Sequence, residues 1–342
     1  MSTCSELTQT VHNTSLPVID YNLLVQKDST ELNKLFNVCK ELGFFYLKLD
    51  DQLDPARIFT LAEKVFELPL DTKNEYAMDG KNGVYFGYKA KGSMYADKKG
   101  TPDTIEFWNI SKDEIVIQEK TKFPQVILDA KNIVQEYMIK SHGIVIVILQ
   151  ILSMKLGLDA ETLPNLHRFM QPSGDQLRLT KSTMHPVQTQ DIPDVAFGAH
   201  TDFGSVTILF NRLGGLQVLA QNGEWFNVEP LSGHAIVNLG DAMVKLTGGI
   251  MKSNIHRVVT PPELNEIVDR YSIVYFSRPE NDIPMKSLLS SEKEEQTDEH
   301  VFTAQEWIAR RVKNFQTENY KNEETYEKSR GTENNREVNV ST

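Results

Sequence analysis

The chain has 342 residues, 40% of them apolar and 9% aromatic, enough to bury a sizeable core, which excludes a disulfide-stapled miniprotein and a wholly disordered chain. A formal charge of −11, from 36 Lys and Arg against 47 Asp and Glu, argues against a basic footprint for nucleic acid and makes a small molecule the expected partner. The two cysteines, Cys4 and Cys39, offer no disulfide framework and fit a reducing cytoplasm.

Met1 to Ser15 is polar and lacks the basic and apolar regions of a signal or transit peptide. Leu32, Leu35, Phe36, Cys39 and Leu42 then recur at helical spacing. Asp54 and Pro55 read as the N-cap and first turn of a second helix carrying Ile58, Leu61, Ala62, Val65 and Phe66. From Pro124, a helical period through Val126, Ile127, Ala130, Ile133, Val134, Tyr137 and Met138 runs into Gly143 to Leu152. That last stretch is strand-like in composition, but its continuity with the period favours a buried helix. It contains Gln150 and falls short of the roughly 20 residues that cross a bilayer.

After Gly157 the pattern changes to short apolar runs between turn signals: Leu177 to Leu179, Val195 to His200, Val206 to Phe210, Leu216 to Leu219, Trp225 to Val228, Ala235 to Leu239, Ile255 to Val259 and Tyr271 to Phe276. Asn222-Gly223 predicts a two-residue primed hairpin turn. So many short strands argue a jelly roll or a similar closed β architecture. Thr303 and Glu306 form a capping-box pattern before Trp307, Ile308, Val312 and Phe315, beyond which a polar end is expected to fray. The run Glu292 to Glu295 reads as solvated surface. The expectation is a mainly β fold with flanking α-helices: a mostly helical leading region over 1–160, the β core over 161–290, and a C-terminal helix and tail over 291–342. Gly80, Gly83 and Gly87 lack the strand-turn-helix setting of a phosphate loop.

The chemistry-bearing residues lie among these strands. His200 and Asp202 are two apart at a strand end, so both can point at one spot, and His256 lies in a later strand segment. Two imidazoles and a carboxylate on one face of an octahedron are the ligand set of non-haem Fe(II) oxygenases. An isolated H-x-D is common, and a strand histidine often only satisfies local hydrogen bonds. Arg270 and Ser272 add a guanidinium fork and a hydroxyl at strand spacing, suited to a carboxylate. R-x-S by itself is an ordinary surface pair, whereas the ordered set is a much rarer coincidence.

These features resemble the iron- and 2-oxoglutarate-dependent dioxygenase superfamily, in the branch similar to isopenicillin N synthase. The resemblance runs through Gly198-Ala199-His200-Thr201-Asp202-Phe203-Gly204, Gly214-Gly215-Leu216-Gln217-Val218, Val237-Asn238-Leu239-Gly240-Asp241 and Ser253-Asn254-Ile255-His256-Arg257-Val258-Val259. Leu16-Pro17-Val18-Ile19-Asp20 and Gly43-Phe44-Phe45-Tyr46 look like that family's leading region. The resemblance implies a double-stranded β-helix, Fe(II) on His200, Asp202 and His256, and the distal carboxylate of 2-oxoglutarate on Arg270 and Ser272. It also implies that dioxygen is consumed, with succinate and carbon dioxide formed, to hydroxylate, desaturate or cyclise a small organic molecule, with specialised metabolism as the expected setting.

One departure stands out. Many relatives place Asn-x-Tyr after the strand that here holds Leu177-Arg178-Leu179, and this chain has Thr180-Lys181-Ser182. Thr180 or Ser182 could supply a shorter hydroxyl and Arg178 could help electrostatically; ordinary strand residues are the other reading. Relatives that use no 2-oxoglutarate also carry R-x-S, which leaves open a dioxygen-dependent oxidase. A non-catalytic β-sandwich binding a small carboxylate is the alternative from another class.

Tyr85, Phe86 and Tyr88, with Phe107 and Trp108 further on, lie where relatives place a substrate lid, and half of these aromatics read as core; Phe203, and His185 beside Pro186, complete the expected substrate pocket. Asp241 reads first as an N-cap for Ala242 to Leu246 and only secondarily as a site residue. Trp225 reads as packing, and His167 and His234 as hydrogen-bonded or exposed. The expected state is a monomer or weak homodimer without nucleic-acid or membrane partners.

Overall fold

The computed structural model describes residues 15–118, 122–186, 195–261, 264, 266–289, 301–314 and 331. The expectations for the polar amino terminus up to residue 14, for Glu292 to Glu295 and for the fraying end from Phe315 lie outside these described residues, Gly331 excepted. In chain order the elements are β1 (Val18–Asp20), α1 (Tyr21–Val25), α2 (Ser29–Glu41), β2 (Phe44–Lys48), α3 (Ala56–Phe66), α4 (Leu70–Asn74), β3 (Gly87–Lys89), β4 (Ile105–Ser111), α5 (Gln125–Asp129) and α6 (Lys131–Lys155). Then come β5 (Gln176–Met184), β6 (Val195–His200), β7 (Val206–Asn211), β8 (Leu216–Leu219), β9 (Trp225–Val228), β10 (His234–Leu239), α7 (Asp241–Leu246), β11 (His256–Val259), β12 (Val268–Ser277) and α8 (Ala304–Asn314).

Strands β5 to β12 build the double-stranded β-helix. β10, β7, β12 and β5 form the middle of an eight-stranded sheet of order β1-β2-β10-β7-β12-β5-β4-β3, and β6-β11-β8-β9 form the smaller sheet. Alternation along the major strands sorts their side chains onto two buried faces. Leu177 and Leu179 of β5, Val206 and Ile208 of β7, Val237 and Leu239 of β10, and Ile273 and Tyr275 of β12 join the core under α3 and α6. Their neighbours Arg178, Thr180, Thr207, Leu209, Asn238, Arg270, Ser272 and Val274 face a chamber whose other wall includes His256 and Val258 of the smaller sheet. These polar residues therefore point away from the helices and into that chamber.

Several expectations change in detail. The leading region is helix-rich, yet it gives four strands to the major sheet, with β2 between β1 and β10 and β4 beside β5. Helix α3 starts one residue later than expected: Pro55 occupies the N-cap position, and Asp54 Oδ1 accepts from the Ala56 amide at 2.8 Å. The β8–β9 connection is not a two-residue primed turn. Ala220 N donates to Glu224 O and Gly223 N to Ala220 O, with positive φ at Gly223 alone of the two, which is a three-residue loop closed by a left-handed glycine. Gly143 to Leu152 is helical within α6, as continuity with the preceding period predicts. The whole 25-residue helix is long and apolar enough by length and composition to cross a membrane, and 56% of its most apolar window is buried inside the protein. At α8, Thr303 N donates to Glu306 Oε2 at 2.9 Å and Glu306 N donates to Thr303 Oγ1 at 3.3 Å, so the capping box forms.

Candidate active site

His200 ends β6, Asp202 lies just beyond it in the turn to β7, and His256 opens β11 directly opposite His200. The expected strand pair is thus a strand-end residue and a turn residue, and the two side chains still converge. Oδ1 of Asp202 is 4.0 Å from Nε2 of His200 and 3.9 Å from Nε2 of His256. The two rings are 4.3 Å apart, and one donor atom from each of the three residues lies within 4.8 Å of the others.

Hydrogen bonds behind the rings fix what each atom presents. His200 Nδ1 is 2.9 Å from Gly198 O and His256 Nδ1 is 3.2 Å from Asn254 O. A carbonyl only accepts, so Nδ1 carries the proton in both rings and the Nε2 lone pairs face Asp202. Asp202 Oδ2 accepts from Thr207 Oγ1 at 2.8 Å and from Asn238 Nδ2 at 2.7 Å, which turns Oδ1 toward the imidazoles. Burial would raise this carboxyl, but the positive charge of His256 and His200 when their rings are protonated, with the hydrogen bonds from Asn238 and Thr207, holds it below its ordinary value; a metal ion takes the place of the Nε2 protons. Three electron-pair donors facing one point, each braced from behind, fit a divalent transition metal.

Arg270 and Ser272 line the same chamber as His256 and Asp202. Arg270 Nε donates to Gly214 O and Nη1 donates to Ser272 Oγ, both at 2.7 Å. Burial pushes its guanidinium down to about 10, against partial support from Glu229, so an anion here would relieve a strained charge. Thr180, opposite Ser272 in the register, also lines the chamber. Ser182 pairs with Arg270 but is not among the lining residues; it is fully buried and its Oγ has no hydrogen-bond partner among the described residues.

A second, outer chamber opens on the other side of His200 and Asp202. Tyr85, Phe107 and Phe203 line it as expected, and Arg178 and Phe107 border both chambers. Phe86 does not line it: Tyr85 turns inward beneath Arg278, and Phe86 packs on Tyr85 at 4.5 Å. His185 follows the end of β5 and lines neither chamber.

Asp241 is not the N-cap of α7. Gly240 holds that position without a side-chain cap, and the Asp241 carboxylate accepts from Thr201 Oγ1 at 2.8 Å and Arg311 Nη1 at 2.7 Å. It braces the segment between the two leading metal-ligand candidates. Trp225 packs under Arg257 at 4.1 Å; His167 bonds Leu163 O and Ser205, and His234 bonds Ser232 O.

The sequence reading missed Thr207, Asn109, Phe197, Arg278, Arg311 and Val312. Phe197 and His200 lie three apart, so simple alternation separates them. A bulge in β6 opposite β11 brings both inward, with the rings 4.8 Å apart and edge to face. No local pattern announces that bulge. Thr207 had a signal in its place on β7 across from Asn238, but only pairing knowledge reveals it.

Comparison with known proteins agrees with this geometry. The profile of the 2OG-Fe(II) oxygenase superfamily matches residues 173–279, and that described as the non-haem dioxygenase in morphine synthesis N-terminal region matches 16–130. The 2-oxoglutarate-dependent dioxygenase frbH of Dothideomycetidae sp. is 32% identical over 80% of this chain and 84% of its own length. Jasmonate-induced oxygenase 3 of Arabidopsis thaliana is 31% identical over 80% of this chain and 75% of its own. The fold matches that of a full-length Neurospora crassa protein crystallised with alpha-KG, at a TM-score of 0.74 and 24% identity, covering 87% of this chain and 95% of that one. On the strength of these relatives over most of its length, the chain belongs to the Fe(II)- and 2-oxoglutarate-dependent oxygenase superfamily.

Proposed function

We propose that His200, Asp202 and His256 hold the ferrous ion of this oxygenase and that Arg270 and Ser272 hold the distal carboxylate of 2-oxoglutarate. The observation that carries this reading is the meeting of two tautomer-fixed imidazoles and Asp202 at one end of a chamber whose other polar wall is Arg270 with Ser272. When bound, iron and 2-oxoglutarate supply the oxidising power, dioxygen being reduced as the co-substrate becomes succinate and carbon dioxide. The chain's own part is placement. Gly198 and Asn254 carbonyls orient the imidazoles, Thr207 and Asn238 orient Asp202, and Phe44, 5.3 Å from His256 and edge to face, keeps water from that side. The outer chamber positions the C–H bond to be oxidised, and position selects among hydroxylation, desaturation and ring formation.

The substrate is a small organic molecule; its setting in specialised metabolism is supported by the fungal dioxygenases among the relatives. Family membership sets aside the non-catalytic sandwich and weighs for 2-oxoglutarate against the oxidase that dispenses with it. We also propose a cytoplasmic monomer or weak homodimer; the −11 charge supports the lack of a nucleic-acid partner, and the burial of much of α6 that of a membrane partner. The test is to incubate the protein with Fe(II), 2-oxoglutarate, dioxygen and a broad small-molecule library. Succinate should form in step with an oxidised product, and no coupled turnover across the library would overturn the reading.

A further inference from the structure

We propose that the substrate carries a carboxylate and that Arg178 and Arg278 hold it in the outer chamber; this rests on the oxygenase reading of the site. Among the described residues the chamber is otherwise largely apolar, walled by Met78, Met94, Phe197, Phe203 and Val312, with Asp202 the one acidic residue in that lining. Two guanidiniums enter it. The Arg178 guanidinium lies over Phe107 at 3.9 Å from the ring centroid and also meets Phe276 at 4.9 Å. Its hydrogen bonding within the described residues stops at Nε, which donates to Asn109 Oδ1 at 2.7 Å. Burial, and then the charge of Arg278, push it down to about 9, with Asp202 opposing.

Arg278 is 4% exposed and lies over Tyr85 at 4.7 Å. Its Nη1 donates to Gly174 O, while its Nε is buried without a hydrogen-bond partner among the described residues. Asp175, the nearby acid, is engaged elsewhere: Oδ1 accepts from the Arg278 backbone amide and Oδ2 from Tyr275 OH. Two like charges on a water-poor wall are costly unless an anion sits against them. Aromatic stacking holds a guanidinium flat and presents its donor edge, the geometry that suits a carboxylate. Arg278 lines only the outer chamber, whereas Arg270 lines only the inner one, so the two arginines serve different ligands. The body of the substrate then lies along the apolar wall, between this anchor and the three candidate metal ligands.

The experiment measures binding of phenylacetate, cinnamate and 4-phenylbutyrate, each beside its primary amide, to protein loaded with Ni(II) and 2-oxoglutarate, by titration calorimetry. At least one acid should bind about ten- to hundredfold tighter than its amide, the range expected for hydrogen bonds to a charged group. That preference should vanish in Arg278→Gln and survive in part in Arg278→Lys, with 2-oxoglutarate affinity changed by less than about twofold in either. If no acid outranks its amide in the unsubstituted protein, or if the preference survives in folded Arg278→Gln, the proposal is overturned. The ratio in the unsubstituted protein decides even where Arg278→Gln fails to fold. If 2-oxoglutarate itself does not bind the metal-loaded protein, the oxygenase reading falls first, and that failure is visible in the same titrations.

Discussion

Two backbone carbonyls decide what the His200 and His256 imidazoles offer: Gly198 O and Asn254 O take the Nδ1 protons, and the Nε2 atoms are left on the side of Asp202. His256→Ala removes one of three donors, and two cannot hold the ion well. Metal analysis after anaerobic loading should show that bound Fe(II) is lost and succinate formation abolished; full activity in this variant would refute the ligand set. Arg270 acts at the far wall of the same chamber. Replacing it with Gln removes charge-assisted hydrogen bonds of about 1.5–3 kcal/mol, so the KM for 2-oxoglutarate should rise about ten- to hundredfold in steady-state assays while metal binding is kept. An unchanged KM would assign the co-substrate carboxylate elsewhere.

At the scale of elements, α8 is tied to the β-helix through a buried ion pair. Arg311 Nη1 donates to Asp241 Oδ2 at 2.7 Å, Arg311 lies over Phe203 at 4.6 Å, and the next residue, Val312, lines the outer chamber. Arg311→Ala leaves the fully buried Asp241 without its cation, a loss of about 3–5 kcal/mol. Denaturant titration should read that loss, and Arg311→Lys should recover part of it. Gly240, before α7, is needed for a different reason: a Cβ there would lie 2.3 Å from Gly204 O and 2.9 Å from Asp202 O, so only glycine lets α7 start against the candidate ligand loop.

Helix α6 carries a pH dependence. Burial pushes His142 down to about 4, with Asp175 opposing, so the unfolded chain, near 6.5, binds the proton more readily than the folded one. Stability is then full above about pH 6.5 and declines as pH falls from there toward 4, by about 3 kcal/mol. His167, also lowered by burial, acts in the same direction. Melting midpoints measured across this range should drop, and His142→Gln should flatten the drop; an identical profile in the variant would remove His142 as the cause.

For the molecule as a whole, the inner chamber lies between the two sheets, with walls from strands of both, β5, β7, β10 and β12 on one side and β6, β8 and β11 on the other. Iron and 2-oxoglutarate, held there as proposed, would engage both sheets and stabilise only the folded chain. With Mn(II) present, 2-oxoglutarate at about 100 times its Kd should add about 2.7 kcal/mol. Thermal unfolding should shift upward accordingly and return on chelation with EDTA, whereas a midpoint indifferent to both would place the ligands outside this chamber.

Local sequence alone determined the helices with a clear apolar period, the capping box at Thr303, the density of short strands after Gly157 and the ordered H-x-D, His and R-x-S set, because each is written in neighbours a few residues apart. Packing alone decided the rest. The strands of the leading region reach the major sheet through long-range pairing, Asp241 exchanges a local capping role for Arg311 seventy positions along the chain, and the β6 bulge sets Phe197 beside His200. Which buried arginine faces which chamber was likewise a matter of sheet register. These are contacts between residues remote in sequence, whose energies depend on burial and on which partner the fold supplies, and no local pattern records either.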